Sequence, residues 1–227
     1  MRKAKRLDIG EYAIVSDFDG TIVLEDSNDL LFQTCGTAEN VEIEAAYSAG
    51  EAGNQETMTR HFDVLRMSPG AYDAFLDCNI HIDPGFDAFL QRVRVEGLPF
   101  FIVSAGFRQG IRRVLGEARL QGVQVFANDL VGEAYVMPSF ALKEAACTEA
   151  IGPCGNCKKA CIDAIREQTG QKILYIGDGL TDRCVVQKAD WLFAKDALAE
   201  YCEAHHLPYT PFVSFFDVVR HLWPEER

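Results

Sequence analysis

Five short runs of this chain are apolar at consecutive positions rather than at alternate ones: "EYAIVSDF", "LPFFIVSAG", "VQVFAN", "KILYIGDG" and "WLFAK". A strand with one face in water alternates apolar and polar residues, so an unbroken run of β-formers calls for burial on both faces. That restricts the architecture to a sheet covered by helices on either side. The segments between most of the runs supply such helices. "DPGFDAFLQRVRVEG" opens with Pro84 and Gly85 and sets Phe86, Phe89, Leu90 and Val93 on one helical face. Strands alternating with helices predict an α/β fold, a doubly wound, Rossmann-like and mainly parallel sheet.

One part breaks the alternation. From about Asp26 to Ile80 the patterns "NDLLFQTC", "ENVEIEAAYSAG" and "QETMTRHFDVLR" are helical and contain no convincing strand. A small all-helical cap inserted after the first strand is predicted, with residues 25–80 as the cap and residues 1–24 and 81–227 as the α/β core. "NDLVGEAYVMP" reads as a hairpin turning near Gly132, and "LWPEER" as a fraying end.

The chain has 227 residues, of which 48% are hydrophobic, enough for one sizeable core. Its net charge of -12 repels a nucleic-acid backbone or an anionic membrane surface, so neither is an expected partner. An anionic ligand would need a local cationic feature. The start "MRKAKRLDIGEYAIV" is basic like a secretory signal, but Asp8 and Glu11 interrupt it, and no stretch approaches the roughly 20 apolar residues that span a bilayer. A soluble, cytoplasmic protein is expected. Cys35, Cys78, Cys184 and Cys202 are scattered through apolar or helical contexts and read as small buried hydrophobes.

In an open parallel sheet, ligands bind outside the carboxyl ends of the strands. Three of the apolar runs end in polar groups there: Asp17 and Asp19 after the first, Ser104 with Ala105 and Gly106 in the second, and Asp178 with Asp182 beyond it in the fourth. Each alone reads as ordinary turn polarity. Together, four carboxylates on one rim repel one another unless a cation sits among them, and oxygen-only donors suit Mg²⁺ better than zinc. "CGNCKKACIDAIREQ" adds Lys158 and Lys159 at a helix start, where free N–H groups already attract anions. Lys158 is the candidate for a phosphate oxygen, with Asp182 orienting its ammonium; Lys159 reads as a solvated neighbour.

The order "DFDGT", "VSAG", a lysine and "GDGLTD" resembles the haloacid dehalogenase superfamily of phosphatases over nearly the whole chain. The resemblance implies an aspartyl-phosphate mechanism on a small phosphomonoester, with Asp17 as nucleophile and Asp19 as general acid and base. It implies phosphate binding by Gly20, Ser104, Ala105, Gly106 and Lys158. One Mg²⁺ is implied on Asp17, Asp178 and the carbonyl of Asp19, with Thr21 supporting the loop by a hydrogen bond back to it. The helical insertion resembles the cap of the phosphoserine phosphatase branch. Within that branch "CGNCKK" and "GDGLTD" resemble the subgroup acting on 2-hydroxy-3-keto-5-methylthiopentenyl-1-phosphate in methionine salvage. Phosphoserine phosphatases carry a glutamate where this chain has Asp26, which argues against phosphoserine as the substrate; phosphoserine or another metabolite phosphate is the alternative. A non-catalytic phosphometabolite-binding protein is the alternative class, and a phosphotransferase or mutase a third reading. Arg60, followed by His61, falls where related enzymes hold an anionic or polar substrate group, with an exposed helix charge as the competing reading. Asp26 and Asn28 stand at the entry to the cap. Cys147, Cys154, Cys157 and Cys161 contain only one "CxxC", so a zinc site is the minority option beside reduced thiols. Monomer and homodimer are both open.

Overall fold

The computed structural model describes residues 8–141 and 153–224. The first run forms β1 (Tyr12–Ser16), and four helices follow it: α1 (Ser27–Cys35), α2 (Ala38–Ser48), α3 (Asn54–Leu65) and α4 (Pro69–Asn79). Then come α5 (Phe86–Val95), β2 (Phe100–Phe107), α6 (Arg108–Leu120), β3 (Gln124–Val131) and β4 (Met137–Ser139). The last part holds α7 (Lys158–Thr169), β5 (Lys172–Gly177), β6 (Trp191–Ala194), α8 (Asp196–Ala204), β7 (Thr210–Pro211) and α9 (Phe215–Leu222). The sheet runs in the order β4-β3-β2-β1-β5-β6-β7, and every pairing is parallel except β3 with β4.

The unbroken apolar runs have the burial that they require. Ile14, Ile102, Leu174 and Ile176 point into one core with Phe86, Phe89, Leu90 and Val93 of α5, Ile111 and Leu115 of α6, and Phe215, Val218 and Leu222 of α9. Ala13, Val15, Phe101, Val103, Ile173 and Tyr175 point into the opposite core with Ile162 and Ile165 of α7 and Leu198 of α8. The period of two thus distributes each run between two cores. Both faces of the sheet are covered.

The hairpin falls where the sequence places it, with β3 and β4 antiparallel on either side of Gly132. The edge strand β7 is too short to have left a pattern in the sequence. The described part of the tail is packed rather than frayed, and residues 225–227 lie outside the described residues. Leu222 is buried, and Trp223 packs its ring 6.1 Å from that of Phe89, because α9 lies along α5 and carries its apolar face to the last turn.

The α1–α4 helices leave and rejoin the sheet side by side. Val23 and Ile82 form an antiparallel bridge, with Leu24 N–H on the carbonyl of His81 and Asp83 N–H on that of Ile22. Phe62 of α3 meets Phe32 of α1 and Phe107 of β2 edge-on, at 5.4 and 5.3 Å between centroids. Arg113 of α6 holds Asp77 of α4 through a two-pronged ion pair. Among the described residues, no helix is long and apolar enough to cross a membrane.

Candidate active site

β1 is the switch point of the sheet, with β2 on one side and β5 on the other, and Ser16 is in register with both Ile102 and Ile176. β1 and β5 therefore end at about one level, β2 runs on past it through Ser104 to Phe107, and the crevice opens at these ends. Asp17 follows β1 directly, its N–H bonded to the carbonyl of Ile176. Asp178 follows β5.

Lys158 is the first residue of α7, buried, and its Nζ donates to Asp17 Oδ2 at 2.5 Å, to Asp182 Oδ1 at 2.6 Å and to the Thr181 hydroxyl at 3.1 Å. Burial disfavours the ammonium, but the charges of Asp17 and Asp182 together outweigh it and hold the Lys158 pKa above its ordinary value. Burial, reinforced by Asp182, pushes the Asp17 carboxyl up, and Lys158 pulls against that rise. Asp178 is pushed up to about 6 by burial and by Asp182, opposed by the hydrogen bond from Thr21. Asp17, Asp178 and Asp182 bring carboxylate oxygens within 4.8 Å of one another. Such a set is stabilised in its charged form by a cation of hard character.

The three carboxylates are not equivalent. Asp182 is fully buried, and both of its oxygens are taken: Oδ1 accepts from Lys158 and from the Tyr175 hydroxyl at 2.6 Å, and Oδ2 accepts from the N–H groups of Asp178 and Gly179. It acts as the anchor of the lysine and of the loop after β5. Asp182 thus carries two donors on each oxygen, whereas Asp17 accepts one on each, from Phe18 N–H and from Lys158, and Asp178 accepts from Thr21 on Oδ1, so Asp17 and Asp178 are the side-chain donors better suited to a metal. Thr21 donates its hydroxyl to Asp178 Oδ1 across the crevice, rather than back to its own loop as the sequence suggested. Gly20 has φ +66°, and a Cβ there would lie 2.2 Å from Asp178 Oδ2. Only glycine allows that close approach.

Asp19 stands across from this cluster. Its Oδ1 accepts from the Ser27 N–H at 3.0 Å and from the Ser27 hydroxyl, and its Oδ2 lies 3.4 Å from Ser104 Oγ. Burial, then the charge of Asp26, pushes Asp19 up to about 7, against the two Ser27 donors. Gly106 N–H donates to Ser104 Oγ at 2.8 Å, and a Cβ at Gly106 would lie 2.8 Å from Asp19 Oδ2 and 3.2 Å from Ser104 Oγ. The Ser104, Ala105 and Gly106 stretch of β2 therefore faces Asp19 at backbone distance.

The remaining sequence candidates have other neighbours. Asp26 caps α1, accepting from Asn28 and Asp29 N–H. Arg60 is exposed, 4.0 Å from Glu56, and lines a groove of about 600 Å³ between α3 and Pro138, Ser139 and Phe140 at the end of β4. His61 is buried within the helical layer, stacked on Phe32 at 4.0 Å with Nδ1 on Asn40. Cys157 is the N-cap of α7, and Cys157 and Cys161 carry free thiols; Cys147 lies outside the described residues. Sequence reading missed Ser27, Tyr175, Asn128 and Asn156. Ser27 and Tyr175 sit inside patterns that a helix start or a buried strand already explains, and the two asparagines lie within "VFAN" and "CGNCKK", whose resemblance assigned no role to either amide.

The haloacid dehalogenase-like hydrolase profile matches residues 14–187. The 2-hydroxy-3-keto-5-methylthiopentenyl-1-phosphate phosphatase of Exiguobacterium sibiricum is 31% identical over 217 residues, covering 94% of this chain and 97% of that protein. A polyol phosphate phosphatase of Saccharomyces cerevisiae is 26% identical, covering 91% of this chain and 90% of its own. A solved phosphoserine phosphatase carrying a phospho-aspartyl intermediate analogue superposes with a TM-score of 0.66 at 16% identity, covering 92% of this chain and 96% of its own. The likeness to that structure concerns the fold.

Proposed function

The chain belongs to the haloacid dehalogenase-like hydrolase family, and we propose that it is a Mg²⁺-dependent phosphatase that hydrolyses a small phosphomonoester through an aspartyl-phosphate on Asp17. The observation that carries this reading is Lys158 held between Asp17 and Asp182, with Asp19 opposite on the same rim. The oxygen donors of Asp17 and Asp178, with the backbone carbonyl of Asp19, fit a hard divalent ion. When bound, that ion neutralises charge on the transferring phosphoryl group and orients it.

The chain's own groups account for the rest. The Lys158 ammonium, Ser104 and the backbone around Gly106 hold phosphoryl oxygens, so that Asp17 attacks phosphorus in line. As the bond from phosphorus to the ester oxygen breaks, Asp19 gives its proton to the leaving oxygen. It then takes a proton from the water that attacks the aspartyl-phosphate, which releases phosphate and restores the Asp17 carboxylate. A carboxyl buried enough to sit near neutrality serves both halves.

Helices α1–α4, assigned to a cap spanning residues 25–80, close over the crevice and exclude bulk water while the phosphoryl group moves. Arg60 and Asp26 are assigned to the substrate side of that cap. We place 2-hydroxy-3-keto-5-methylthiopentenyl-1-phosphate first among substrates, on the 31% identical relative, and polyol phosphates second. The free thiols of Cys35, Cys78, Cys157, Cys161 and Cys202 support a reducing, cytoplasmic setting. The presence of both Asp17 and Asp19 favours turnover over mere binding. The test is hydrolysis of p-nitrophenyl phosphate and of these candidate phosphates with Mg²⁺, by the wild type and by Asp17→Asn. Wild-type turnover that Asp17→Asn abolishes supports the covalent scheme, and turnover by folded Asp17→Asn rejects it.

A further inference from the structure

The β2–β3 ladder is broken beside the site. Val103 pairs with Phe126, but the next pairing is Phe107 with Asn128, so β2 advances four positions against two on β3. Such a bulge turns backbone groups away from the ladder and toward a site. The carbonyls in the interruption are met by two buried side-chain amides. Asn128 Nδ2 donates to Ala105 O at 2.7 Å. Asn156 Nδ2 donates to Ser104 O at 2.8 Å and to Phe126 O at 2.9 Å.

Asn156 is 5% exposed and lies two residues before Lys158. Two carbonyls on one side demand the amide nitrogen there, which leaves Oδ1 facing α7. Cys161 Sγ meets it at 3.2 Å, and burial pushes that thiol up to about 12, so it remains a protonated donor. One side chain thus joins β2, β3 and the first turn of α7.

On the phosphatase reading above, we propose that Asn156 is a positioning residue, which holds the bulged Ser104 segment of β2 and the Lys158 end of α7 in register around one phosphoryl group. Without its donors, two buried carbonyls lose their partner, and the segment and the lysine move independently. A misplacement of about 1 Å costs on the order of 100-fold in rate. The loss falls on the transition state, where both groups must act together, more than on ground-state binding.

The experiment compares wild type, Asn156→Ala and the isosteric Asn156→Asp, which keeps the shape but has no N–H to donate. Hydrolysis of p-nitrophenyl phosphate is measured with Mg²⁺ and with orthovanadate as inhibitor, per folded enzyme by circular dichroism. The expected result is kcat lower by ~10- to 100-fold, a similar rise in the vanadate Ki, and KM within about threefold. Unchanged kcat, or a fall in kcat with an unchanged vanadate Ki, overturns the proposal. Should both variants fail to fold, Cys161→Ser and Cys161→Ala decide. The serine keeps a donor and should behave as wild type, and the alanine should raise the vanadate Ki; identical behaviour of the two overturns the proposal. A wild type that neither hydrolyses nor binds vanadate overturns the phosphatase reading itself, which separates the two failures.

Discussion

Lys158 Nζ lies 2.5 Å from Asp17 and 2.6 Å from Asp182, so a single buried ammonium bridges the carboxylate after β1 and the carboxylate beyond β5. These two strand ends would otherwise repel each other in a low-dielectric crevice. The lysine joins them.

Lys158→Met removes that bridge while keeping the volume. Breaking a buried pair costs about 3–5 kcal/mol when a charge is left behind. Urea unfolding should register a loss of that order, and kcat on p-nitrophenyl phosphate should fall by at least ~100-fold.

Tyr175→Phe removes only the hydroxyl that donates to Asp182 Oδ1 at 2.6 Å. Hydrogen bonds to charged groups contribute roughly 1.5–3 kcal/mol. The variant should lose stability within that range and retain more kcat than Lys158→Met. Stability equal to wild type would place the hydroxyl outside the anchor.

Gly20→Ala forces a Cβ to within 2.2 Å of Asp178 Oδ2 from a backbone at φ +66°. Asp178 must then move away from Asp17. Mg²⁺ should raise the melting temperature of the wild type, and this rise should vanish in Gly20→Ala and in excess EDTA. A full rise in Gly20→Ala would exclude Asp178 as a ligand.

Asp217 caps α9, accepting from Val213 N–H at 2.9 Å and Ser214 N–H at 3.1 Å, and these bonds hold its carboxyl below the usual value. A depressed folded-state pKa gives stability that is complete above the unfolded value of about 3.9 and is lost as pH falls through the folded one. Asp217→Ala should therefore cost about 1 kcal/mol at neutral pH and progressively less in acid, measured by urea unfolding at each pH. A cost independent of pH would contradict the charged cap.

Several features were legible because a short-range pattern encodes them. The α5 face of Phe86, Phe89, Leu90 and Val93 is buried as its spacing requires. The carboxylates Asp17 and Asp178 stand at strand ends because an apolar run can only stop in polar groups where the sheet opens. Asn156 was illegible for the opposite reason. An asparagine between a glycine and a cysteine reads as turn chemistry, and its partners at Ser104 and Phe126 lie 52 and 30 residues away. Asp182 was read as the orienter of Lys158, and the structure adds that its second oxygen is taken by backbone N–H groups.

By itself the sequence determined that this chain must bury a sheet on both faces, interrupt it with helices after the first strand, and carry its acids at strand ends. Local periodicity and the cost of burying unpaired charge fix those outcomes wherever the strands come to lie. Only the tertiary structure decided which acid anchors and which remains available, because that depends on strand order. With β1 between β2 and β5, Asp17, Ser104 and Asp178 are brought to one rim of the sheet from segments more than 70 residues apart along the chain. No window along the chain contains that geometry; it arises where the ends of neighbouring strands meet.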